Sequence, residues 1–99
     1  MRLSDFQINT ILEGIKKFCP QNSRVWLFGS RVDDAKKGGD IDLYIEIDNQ
    51  DLILDCKLKL LSFFELKLGE QKIDILIRSL DRPMTAMHDI AKSTGIELI

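Results

Sequence analysis

Apolar residues recur along this chain with two different periods, and the switches between them mark out its elements. Ile8, Ile11, Leu12, Ile15 and Phe18 keep the three-to-four spacing of one helical face. Ser4 and Gln7 ahead of them form a capping-box pattern, and Pro20 ends the run. Arg24 to Phe28 shows no alternation and is aromatic and β-branched, which predicts a short strand covered on both faces. Gly29–Gly39 is polar and glycine-rich, a loop with room for a helical turn around Val32–Lys37. From Asp40 to Ile47 the period is two: Asp40, Asp42, Tyr44 and Glu46 alternate with Ile41, Leu43, Ile45 and Ile47, as in a strand with one polar face.

Asp48–Asp51 supply turn and N-cap residues, Leu52–Leu68 reads as a long helix, and Gly69 is its C-cap. That helix carries more apolar residues than one core-facing stripe needs, Leu54, Leu58 and Leu66 among them. Lys72–Arg78 is a third strand with Asp74 facing opposite to Ile73 and Ile75. Pro83 suits the first turn of a last helix, with Met84, Met87, Ile90 and Ala91 as its apolar side and Gly95 at its close. The order α-β-loop-β-α-β-α predicts an α/β (α+β) fold, a small sheet packed with helices, in a single domain over residues 1–99. The pattern does not fix strand order or direction.

Composition narrows the function classes. A hydrophobic content of 44% beside 30% charged residues fits a folded chain. Fourteen basic and sixteen acidic residues give a net charge of −2, so there is no whole-chain basic footprint and direct nucleic-acid binding is not expected. A nucleotide remains compatible, because its charge can be met by a metal and a few donors. The chain has neither a signal-peptide core nor an apolar run of about 18 residues, and Cys19 and Cys56 belong to no Cys-x-x-Cys pair. They are expected as separate reduced thiols in a cytoplasmic protein with no membrane association.

The chemistry sits in three carboxylates and one turn. Asp40 and Asp42 share one face of a strand, their Cα atoms about 6.5–7 Å apart, and Asp74 interrupts the apolar run Ile73–Ile77. Carboxylates in strand-like, half-buried sequence are costly. Two of them about 4 Å apart repel by roughly 4 kcal/mol at an effective dielectric near 20. Mg²⁺ removes that conflict, since it takes oxygen ligands and is held by a few carboxylates plus substrate phosphates. Gly29-Ser30 follows a strand directly; a small residue there lets backbone N–H groups approach phosphate oxygens, and the hydroxyl adds a donor. Arg31 comes next and is a further phosphate candidate, because guanidinium matches phosphate geometry. No Gly-Lys-Ser/Thr sequence is present, so this is not a P-loop. Taken singly, each piece has an ordinary reading as a loop, a solvated face or an edge-strand carboxylate. Their order is what points to phosphoryl chemistry.

Leu27-Phe28-Gly29-Ser30-Arg31, Asp40-Ile41-Asp42-Leu43 and Ile73-Asp74-Ile75-Leu76 together resemble the polymerase-β-type nucleotidyltransferase superfamily, most nearly its minimal nucleotidyltransferase branch. The resemblance covers nearly the whole chain. It implies that Gly29 and Ser30 contact the triphosphate of ATP, and that Asp40, Asp42 and Asp74 hold Mg²⁺ and catalyse nucleotidyl transfer. Nine residues separate Ser30 from Asp40, one fewer than this branch often has. Minimal members resemble antitoxins partnered with a HEPN-family ribonuclease toxin and transfer AMP to a tyrosine of that toxin. A catalytically silent antitoxin that blocks its partner by occlusion is the competing reading, and the oligomeric state, homo- or hetero-, is open. His88 has no Cys/His cluster around it, and Trp26 and Phe28 read as core.

Overall fold

The structure, a computed structural model, describes residues 3–32 and 39–98, with Ser30 described by its backbone alone. The possible helical turn around Val32–Lys37 lies almost wholly outside the described residues.

Helix α1 (Asp5–Phe18) begins at the capping box its sequence announces. Ser4 Oγ accepts the Gln7 N–H, and Gln7 Oε1 accepts the Ser4 N–H. Strand β1 (Arg24–Phe28) leads into a 3₁₀ turn at Gly29–Val32, and β2 (Ile41–Ile47) follows. Asn49 caps a second 3₁₀ turn at Gln50–Leu52, which feeds helix α2 (Ile53–Leu68). Gly69 ends α2 at φ 71°, and its N–H bonds the Glu65 carbonyl, a conformation that favours glycine. Strand β3 (Ile73–Ser79), helix α3 (Ala86–Thr94) and a two-residue strand β4 (Ile96–Glu97) complete the chain.

The four strands form one mixed sheet in the order β3-β2-β1-β4. β1 pairs antiparallel with β2 and β4, and β2 pairs parallel with β3 across the α2 crossover. The alternation in β2 separates two faces. Ile41, Leu43, Ile45 and Ile47 join Val25, Leu27 and Ile75 under α1 and α2, where Ile11, Ile15, Leu60 and Phe64 close the main core. Gly14 lets the two helices approach: a Cβ there would sit 3.0–3.1 Å from Phe64, Leu60 and Phe63. On the other face Trp26 and Tyr44 pack under Ala91 of α3.

Four expectations need correction. Cys19 and Cys56 are joined in a disulfide with Cα atoms 5.4 Å apart, because the end of α1 lies against the start of α2. Helix α3 starts at Ala86, not at Pro83, on a capping box in which Thr85 Oγ1 accepts the His88 N–H and His88 Nδ1 accepts the Thr85 N–H. Its expected apolar side is mostly outward: Ala91 is buried, while Met84, Met87 and Ile90 are exposed. The sheet-facing side consists of Ala91, His88 on the Tyr44 ring at 5.7 Å, and Lys92 reaching Glu46. Strand β4 has no counterpart in the sequence reading, since two residues are too short for a period. No helix among the described residues is long and apolar enough to cross a membrane.

Candidate active site

The site is built where β1 ends and β2 and β3 begin. Phe28 is opposite Asp42 on one side, and Asp74 is opposite Asp42 on the other. The next residue after Phe28 is Gly29, at φ 79°. A Cβ built on it would fall on Asp42 Oδ2, so both the backbone angle and the close approach require glycine. The turn read as a phosphate cradle therefore abuts one of the carboxylates read as metal ligands.

Asp42 and Asp74 are register partners across the parallel β2–β3 pair. Asp42 is half-buried and Asp74 is exposed. Desolvation raises the Asp42 carboxyl above its ordinary range, the charges of Asp74 and Asp40 raise it further, and Lys72 opposes them. Asp40 precedes β2 and faces Lys72 Nζ at 3.7 Å. Among the described residues no three His, Cys, Asp or Glu side chains are grouped closely enough to hold a metal ion. Asp42 and Asp74 are together, and Asp40 stands beside them with Lys72 as its partner. This donor set fits a hard divalent cation: the oxygens are carboxylate, and burial together with the neighbouring charges of Asp74 and Asp40 disfavours the bare Asp42 anion, a conflict that a bound cation relieves.

Arg31 Nη2 donates to the Gly39 carbonyl at 3.0 Å and to Gln71 Oε1 at 3.1 Å. Gln71 Nε2 in turn donates to the Gly39 carbonyl and, at 3.2 Å, to the Lys72 carbonyl. Gln71 was not singled out from the sequence, and one polar residue ahead of a strand carries no signal that would find it.

Further along the same face lies a charged cluster that sequence reasoning also missed. Glu46 is only 2% exposed. It accepts from the Tyr44 hydroxyl at 2.8 Å, Arg78 Nη1 at 3.2 Å and Lys92 Nζ at 3.2 Å. A buried carboxylate needs such partners. Burial, then the bond to Glu46, pushes the Tyr44 phenol up to about 12. The available signal was that Glu46 and Arg78 alternate onto the face that bears the aspartates; what was missing was α3 covering it.

The comparison with known families agrees with this geometry. A search of curated proteins finds no match. Residues 13–98, which include Gly29, Ser30 and all three aspartates, match the family model described as Polymerase beta, Nucleotidyltransferase. A match this long, over a four-stranded mixed sheet whose strand ends bring Gly29, Asp42 and Asp74 together, means that the chain belongs to the polymerase-β-type nucleotidyltransferase family.

Proposed function

We propose that this chain transfers AMP from ATP to a hydroxyl, a tyrosine of a HEPN-type ribonuclease toxin, and acts as that toxin's antitoxin. Nucleotidyl transfer is the activity of the family to which residues 13–98 belong. The observation that carries the reading further is the contact between Gly29 and Asp42, with Asp74 as the neighbour of Asp42. It sets a glycine-bearing turn against paired carboxylates, which is the juxtaposition that a metal-bound triphosphate needs.

In this reading Asp42 and Asp74 would hold Mg²⁺, Asp40 would join them by exchanging its Lys72 partner for the ion, and Gly29 and Ser30 would receive the triphosphate. Bound Mg²⁺ supplies charge neutralisation on the phosphates and makes the attacking hydroxyl more acidic. The acceptor oxygen forms a bond to the α-phosphorus as the bond to the β-phosphate oxygen breaks, and pyrophosphate leaves. Asp74, the exposed member of the pair, takes the hydroxyl proton.

The acceptor side rests on α2. Leu54, Leu58 and Leu66 are 66%, 56% and 85% exposed on its outer side, which agrees with a protein partner covering that helix.

The test is to mix the chain with ATP, Mg²⁺ and the HEPN-type protein encoded beside it, then weigh that protein. A gain of one or more AMP units is expected. Chelating the metal should abolish the gain, and Asp42→Asn should slow it by about 100-fold or more. An unmodified partner held in a tight complex would replace transfer by occlusion as the antitoxin mechanism.

A further inference from the structure

We propose that Gln71 and Arg31 are positioning residues, which together lock the phosphate turn to the starts of the two aspartate-bearing strands. The proposal rests on the nucleotidyl-transfer reading for its catalytic consequence, but not for its geometry.

Three chain segments meet at two carbonyls. Arg31 directly follows Ser30 in the 3₁₀ turn, Gly39 directly precedes Asp40, and Lys72 stands two residues before Asp74. The Gly39 carbonyl accepts from Arg31 Nη2 and from Gln71 Nε2. The Lys72 carbonyl accepts from the Ile41 N–H at 3.0 Å and from Gln71 Nε2 at 3.2 Å. Asp40 is therefore flanked by two anchored backbone groups, the Gly39 carbonyl and the Ile41 N–H. Gln71 Oε1 closes the ring by accepting from Arg31 Nη2 at 3.1 Å. Two of these bonds come from a guanidinium and are charge-assisted.

Gln71 is the hub. Its amide touches all three segments, accepting from Arg31 and donating to the Gly39 and Lys72 carbonyls, so one planar group serves as both acceptor and donor. The sheet itself fixes β1 to β2 and β2 to β3, but among the described residues no ladder pairing joins the 3₁₀ turn to β3. The Arg31–Gln71 contact does. Reacting groups misplaced by about 1 Å lose on the order of 100-fold in rate, so a tie between the turn and Asp74 has catalytic weight although neither residue need touch the reacting atoms. This gives Arg31 a role different from the direct phosphate contact expected from its sequence position.

The test is a double-mutant cycle on the full chain with Gln71→Ala and Arg31→Ala, read by amide hydrogen exchange and by AMP transfer. Exchange at the Ile41 N–H is expected to speed up about tenfold or more in Gln71→Ala, with α1 and α2 amides unchanged. In transfer, each single variant should lower kcat about tenfold with little change in the KM for ATP, and the double variant should lose no more than the larger single. Gln71→Glu, which keeps the acceptor for Arg31 and loses both donated bonds, should fall between wild type and Gln71→Ala. Unchanged exchange at Ile41 overturns the proposal whether or not the chain transfers AMP. So does an Arg31→Ala variant that raises KM while its loss multiplies with that of Gln71→Ala, since Arg31 would then be contacting phosphate on its own account. Faster Ile41 exchange in a chain that transfers no AMP would leave the lock standing and remove the transfer reading instead.

Discussion

Tyr44 is the single tyrosine of the chain and lies midway between the paired aspartates and buried Glu46. Its ring packs on Trp26 at 5.4 Å and its hydroxyl donates to Glu46. Ionising it would put a second negative charge beside Glu46 in a covered layer. The folded phenol is pushed up to about 12 from an ordinary 10.0, so the fold favours the protonated form. The stability this contributes is fully present below pH 10 and is lost as pH rises from 10 towards 12. Tyrosinate absorbance reads this residue alone. In the folded chain its midpoint should lie near 12, and in denaturant near 10, with Trp26 fluorescence reporting that the fold persists. An ordinary midpoint in the folded state would mean that the ring is solvated and that α3 does not cover it.

The same residue shows what the sequence could reveal of the site. Alternation placed Asp40, Asp42, Tyr44 and Glu46 on one face, and Asp42 and Asp74 do meet across the parallel pair. Period two tells which residues share a face, not what covers it. Half of that face is the candidate site, and the other half, from Tyr44 to Glu46, is buried under α3. The ring of bonds through Arg31, Gly39 and Gln71 joins residues up to 40 positions apart, and a one-dimensional pattern has no way to express it.

Among the elements, α2 separates most cleanly into a packed and an unpacked side. Cys56, Leu60, Phe63 and Phe64 are buried under the sheet and α1, while Leu54, Leu58 and Leu66 point outward. Both sets are apolar, so composition signalled an excess, and only packing shows which residues make it up. A leucine more than half exposed loses little on replacement. Leu58→Gln and Leu66→Gln should each change stability by less than about 0.5 kcal/mol. The same change at Leu60, fully buried, should cost about 2–5 kcal/mol from lost packing and a buried amide. Denaturant midpoints measure this contrast. If α2 docks the partner, Leu58→Gln and Leu66→Gln should also weaken the complex while leaving the fold intact. Destabilisation by the outer variants would show instead that those leucines belong to the chain's own core. Helix α3 and strand β4 were the poorly legible elements for related reasons. α3 is held by Ala91 and by polar reach from His88 and Lys92, and β4 by two backbone pairings and the Arg24–Glu97 ion pair. None of these makes a hydrophobic stripe.

Over the whole molecule, the sheet separates two layers with different tasks. The aspartates, Glu46 and α3 lie on one side, and α1 and α2 with the main core lie on the other. The Cys19–Cys56 disulfide belongs to the second layer. It ties residues 37 positions apart, the cap of α1 to the first turns of α2. A cross-link closing a loop of this length contributes about 3–4 kcal/mol by restricting the unfolded chain, a large share of what a domain of this size retains. Reduction should therefore lower Tm by about 10–20 °C, read by Trp26 fluorescence on the opposite face of the sheet. Cys19→Ala should reproduce the shift without reductant, since Cys19 is only partly buried and its truncation leaves little cavity. Transfer activity measured well below the lowered Tm should stay close to that of the oxidised chain, because both cysteines belong to the core under α1 and α2, across the sheet from Asp42. In a reducing compartment the chain would work at this lower stability with its site intact. Equal Tm values in oxidised and reduced samples would show that the α1–α2 contact is held by Phe18, Phe63 and Gly14 packing alone.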